Sequence, residues 1–141
     1  MMYKALATFD GVLIALMVAF NGLLALHIGN NQSLLVIHFV GLFGTILLLL
    51  GSRGKLQSIR GLQPYHFIAG ALGIFNVLFN NLSFSALGAT LTLSLNLLGQ
   101  LIASMLIDHF GLLGLALNKV NRTKLLGVAI MGLGIISMII L

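Results

Sequence analysis

Charged residues cut this chain into long apolar runs. Residues 11–52 carry no Asp, Glu, Lys or Arg, residues 61–107 carry none, and residues 125–141 carry none. A membrane-spanning helix needs about 20 mostly apolar residues. Each of the first two runs therefore holds two crossings joined by a tight turn, and the last holds one. Gly29-Asn30-Asn31-Gln32-Ser33 breaks the first run between Leu26 and Leu34; Asn80-Asn81-Leu82-Ser83, followed by Gly88, breaks the second more weakly. The pattern predicts an all-α membrane protein with five transmembrane helices, at about residues 5–27, 33–51, 65–82, 86–107 and 124–141, in a single integral membrane domain spanning residues 1–141.

Composition sharpens this picture. The chain is 60% hydrophobic and 6% charged, whereas a soluble domain is about 25% charged because it needs a hydrated surface. A soluble enzyme is excluded, and lipid becomes the main solvent. Cysteine is absent, which removes disulfides, thiolate metal sites and cysteine nucleophiles. The net charge of +5 comes from short segments between the spans and forms no stripe, so nucleic acid is not an expected partner. Two hairpins return the chain to its starting side. Lys4, then Arg53, Lys55 and Arg60, then Lys119, Arg122 and Lys124 thus all fall on one face, a tally of seven to none. Basic loops stay in the cytoplasm, so the N-terminus is expected inside and the C-terminus outside. A single crossing by the second run would divide the cations four against three. The first span is expected to be retained, since no small-x-small cleavage pattern stands before Asn30.

The polar residues within the spans carry the candidate chemistry. Thr92, Asn96, Gln100, Ser104 and Asp108 follow one another at intervals of four, which keeps neighbours near one helical face. Lipid cannot satisfy an amide, so Asn96 and Gln100 face protein or a water-filled path. The plain account is interhelical glue; the functional account is the lining of a solute path. Asn76 and Asn80 share a face by the same spacing, and Asn21 lies deep in the first span. Asp10 and Asp108 are the only acids. Each is a candidate for coupling or gating, against an ordinary place near the headgroup boundary for Asp10 and a solvated ion pair with Lys119, Arg122 or Lys124 for Asp108. His109, beside Asp108, and His38, inside the second span, are further candidates for such a role. The four His residues lack the i, i+4 pairing of a helical zinc site, so neither a metal nor another cofactor is expected. Ala69 with Gly73, Gly41 with Gly44, and Gly127 with Gly132 and Gly134 form small-residue patches where helices can approach closely.

GQLIASMLIDHFGLLG, residues 99–114, resembles the short YdcZ-type members of the drug/metabolite transporter superfamily. Gly99, Gln100, Ser104, Asp108, His109, Phe110, Gly111 and Gly114 carry the most specific match. Asn21, HFVG at His38 to Gly41, NVLFNN at Asn76 to Asn81, and the basic segment before a glycine-rich last span extend it over nearly the whole chain. Met17 departs from the Gln that the family often has there, and SFSALG replaces a turn that often includes Pro. The resemblance implies one half of a ten-helix inverted-repeat transporter in the bacterial inner membrane, completed by an oppositely oriented homologous subunit and exporting a small-molecule solute by alternating access. The one-sided charge favours a heterodimer over a homodimer of opposed copies. A non-transporting accessory subunit of a larger complex is the alternative of another class. An intramembrane enzyme is disfavoured, because no nucleophile stands at recognisable spacing from a base.

Overall fold

A single residue joins the first two helices. In the computed structural model, which describes residues 1–52, 58 and 61–140, α1 (Met2–Ile28) ends at Gly29 and α2 (Asn30–Gly51) begins directly after it. Gly29 has φ 85° and ψ 157°, a conformation open in practice only to glycine. Its N–H donates to Ala25 O at 2.9 Å and its carbonyl accepts from Ser33 N at 3.0 Å, so the joint leaves neither of its own backbone groups unpaired. A short 3-10 turn, Pro64–Phe67, leads into α3 (Ile68–Phe110), and a second, Leu112–Gly114, follows it before α4 (Arg122–Ile140). Among the described residues, the regular structure is all helical, and four helices are long and apolar enough to cross a membrane. The cluster Arg53, Lys55 and Arg60 lies outside the described residues.

The sequence predicts a break over Asn80 to Ser83 with Gly88, between spans at about 65–82 and 86–107. The helix runs through Asn80 to Ser83 and is interrupted at Gly88 alone, with φ 77° and ψ 177°. The reason is local. Asn80 donates Nδ2–H to Asn76 O at 2.9 Å and Ser85 donates its hydroxyl to Leu82 O at 2.8 Å, so these polar side chains satisfy themselves on helix carbonyls. Gly88, lacking a Cβ, supplies the interruption.

The chain forms two compact units, Met1–Ala86 and Leu87–Leu141. In the first, α1 and α2 pack together, and the buried residues of α1 are Val18, Gly22 and Ala25, a single face at helical spacing. Gly22 is there because of its size: a Cβ on it would lie 2.3 Å from the Phe84 ring. Beside the α1–α2 joint, Ser33 is 0% and Asn81 1% exposed, and Asn81 Nδ2 donates to Ser33 Oγ at 3.3 Å. The Ser33 hydroxyl proton is committed to Asn30 O at 2.8 Å. Its oxygen can therefore only accept from Asn81, which fixes the Asn81 amide orientation and leaves Oδ1 buried without a protein partner.

In the second unit, α4 runs back along residues 89–110 of α3. Lys124 lies beside Asp108, and Ser94 Oγ approaches Met138 Sδ at 3.9 Å. The connection closes onto the helix end: Asn118 N donates to Asp108 O at 2.8 Å, and Val120 N donates to His109 Nδ1 at 3.2 Å. Asn121 then caps α4, its Oδ1 accepting from Lys124 N at 2.8 Å.

Candidate functional site

The polar seam of α3 occupies the second unit, and its members sit in different surroundings. Thr92 is 3% exposed, and its hydroxyl oxygen is buried without a partner. Asn96 is half-buried, whereas Gln100 and Ser104 are exposed. Ser104 donates its hydroxyl to Leu101 O at 3.0 Å. Asp108 is half-buried and faces Lys124, with Nζ 3.9 Å from Oδ2. Both side chains keep more than a third of their exposure, so the pair contributes about 0–1 kcal/mol of stability and can open at low cost.

A groove of about 380 Å³ between α3 and α4 brings part of this seam together. Ser104 and Asp108 line it from α3 and Lys124 from α4, with Leu101, Met105, Gly127, Val128 and Met131 as apolar wall. The groove thus offers a hydroxyl, a carboxylate and an ammonium group within an otherwise apolar lining. Such a set can hydrogen-bond a small polar solute, and the acid and base can exchange their mutual contact for contacts to it. Asn96 and Gln100 lie outside this groove, further along the same helix face. The glycine at 127 keeps the α4 wall low where it passes the polar residues.

The remaining candidates are dispersed. Asn76 and Asn80 pair with each other, Asn80 Nδ2 donating to both Asn76 O and Asn76 Oδ1. Asn21 is half-buried, next to the buried Gly22. Asp10 is exposed on α1. His38 is exposed and donates Nδ1–H to Leu34 O at 2.8 Å, a bond to its own helix. His109 differs from it: its Nδ1 accepts from the Val120 N–H, so the ring carries its proton on Nε2.

Two features escape a reading of the sequence alone. Ser33 and Asn81, which turn chemistry assigns to reversals, form the buried polar contact of the first unit. Thr92, at the start of the seam, is its most buried member. A signal for Asn81 exists in retrospect: it stands in an apolar run whose neighbour Asn80 already satisfies itself on Asn76.

Helices of this length and apolarity define a multi-pass membrane protein. Residues 2–137 match the family model described as "Putative inner membrane exporter, YdcZ". The chain belongs to this family, and its role is that of a membrane transporter. No curated protein matches the chain, and no solved structure matches it.

Proposed function

We propose that the chain is a five-span transporter half that exports a small polar solute by alternating access, working with an oppositely oriented mate. The span count is supported by length. A straight helix over Ile68–Phe110 would be about 65 Å long, more than twice the roughly 30 Å hydrocarbon core. The interruption at Gly88 divides it into residues 68–87 and 89–110, each sufficient for one crossing. Five spans make an odd unit, and a pathway symmetric about the membrane plane then requires an inverted second unit. The seven-to-none loop charge holds one orientation, which favours an N-out homologue as the mate over a second copy of this chain.

The observation that carries the reading is the seam itself. Thr92, Asn96, Gln100, Ser104 and Asp108 form a row of hydrogen-bonding groups along a span, ending in the groove that Lys124 completes. Asn96 and Gln100 are the first solute contacts, Ser104 with Asp108 and Lys124 the mouth, and Asp108 with His109 the gate. No residue is assigned a catalytic part.

The test is transport by purified protein in proteoliposomes, alone and with short homologues, read as solute-dependent current over a panel of small polar solutes. Asn96→Leu and Gln100→Leu should each lower the current while the detergent-extracted complex elutes unchanged. Loss of the complex in both variants would assign these amides to helix association. No current from any combination would favour an accessory subunit.

A further inference from the structure

The helix pair of the second unit has another groove, on the opposite side of Met105 and Val128 from the polar one. Its volume is about 370 Å³, and its walls are Ile102, Leu106, Phe110 and Leu125, with Met105 and Val128 shared between the two grooves. It runs along α3 from Ile102 to Phe110, and His109 and Val120 line it near the helix end. The His109 ring has its Nδ1 occupied by the Val120 N–H and so carries its proton on Nε2, a hydrogen-bond donor on a residue that lines an apolar slot.

Charge near this end is one-sided. Lys119 precedes Val120 directly and Arg122 follows two residues later, both exposed, and among the described residues neither has an ion-pair partner. The one acid nearby, Asp108, is matched with Lys124 on the other groove. Four exposed leucines, Leu112, Leu113, Leu115 and Leu117, precede these cations in a connection that is not α-helical. A segment that exposes this much apolar surface beside free cations belongs at the boundary between headgroups and acyl chains, with the leucines in the apolar layer and the cations at phosphate level. An apolar slot lined at one end by Val120, with Lys119 next to it in the chain and Arg122 two residues on, suits an apolar chain with an anionic head.

We infer that this groove is a binding site for one anionic phospholipid. An acyl chain lies along Ile102, Leu106 and Val128, and the phosphate is held by Lys119 and Arg122. The site is separate from the solute groove and does not depend on transport.

Native mass spectrometry of the full-length protein in detergent, titrated with phosphatidylglycerol or phosphatidylcholine, tests the inference. The protein should retain one phosphatidylglycerol in preference to phosphatidylcholine. A Lys or Arg at an anionic membrane surface contributes about fivefold to binding, so Lys119→Gln with Arg122→Gln should weaken retention by about twenty-five-fold. Ile102→Trp, which fills the slot and leaves both cations, should also abolish the preference; Leu106→Trp serves if the first variant does not fold. Lys4→Gln, remote in sequence, should change nothing. Equal retention of the two lipids would overturn the inference, as would unchanged phosphatidylglycerol binding by the double Gln variant or by a folded Trp variant.

Discussion

At Gly22 the fold depends on the absence of a side chain. The ring of Phe84 occupies the space where a Cβ would stand, 2.3 Å away, so Gly22→Ala forces the ring to move. Overpacking of this kind costs about 1–3 kcal/mol. The expected result is a lower midpoint of thermal unfolding in detergent for Gly22→Ala, with recovery when Phe84→Leu is added. Ser33 and Asn81 make a different prediction. A hydrogen bond between membrane helices contributes about 0.6 kcal/mol on average, yet an amide left buried without partners costs about 1–3 kcal/mol. Ser33→Ala removes the one acceptor that the Asn81 amide has among the described residues and should destabilise more than the average bond, while Ser33→Ala with Asn81→Leu should lie closer to wild type than the sum of the single changes. A double-mutant cycle on unfolding in mixed micelles measures the coupling; strict additivity would show that the two side chains do not interact.

Among the elements, α3 shows how much of the fold the sequence discloses. The charge-free runs report apolar length directly, because a charge within lipid is costly; α2 falls within one, and the other helices have most of their length in one but take in Lys4 and Asp10, Asp108, or Arg122 and Lys124 at an end. The first joint is legible as well: Gly29 ends one helix, and Asn30 opens the next. The Asn80–Ser83 stretch is misleading because Asn and Ser side chains bond to the backbone in turns and helices alike, and only the surroundings choose between them. The contact of Asn81 with Ser33 is illegible for another reason. It joins positions 48 residues apart, and no periodicity within a run encodes which residue lies opposite which. The candidate site divides in the same way. Spacing by four reveals the seam, and the ion pair expected of Asp108 with Lys119, Arg122 or Lys124 forms with Lys124; that Ser104 lines the same groove depends on how α4 folds back. Gly88 gives the test at this scale. Its φ of 77° with ψ of 177° is a region essentially restricted to glycine, and other residues there incur about 1–3 kcal/mol of strain. Gly88→Val should therefore lower the unfolding midpoint, and Gly88→D-Ala, introduced by semisynthesis, should not, since a D-residue favours positive φ. Equal destabilisation by both would assign the effect to crowding.

For the whole molecule, orientation is the quantity most open to measurement. If the chain crosses five times as proposed, placing its seven basic residues on one face, a reporter fused after Leu141 that matures only outside the cytoplasm should be active, and a cytoplasmic reporter there silent. The reverse pattern would change the parity of the crossings and remove the argument for an inverted mate. If the mate is a homologue, a cysteine placed between residues 53 and 60 should react with impermeant reagents from the cytoplasmic side alone. Equal reaction from both sides, in protein that transports when expressed by itself, would instead establish self-pairing in opposite orientations. The one-residue joint at Gly29 bears on how this protein can change over evolutionary time. Each residue added to a helical joint turns the downstream helix by about 100°, which would carry Ser33 away from Asn81 and the α2 face away from α1. Chain length between positions 28 and 33 should be inherited without gaps. The run 112–117 lies between the helix end and the bonds from Asn118 and Val120, so it can lengthen without disturbing either groove, and insertions and deletions in descendants of this sequence should collect there.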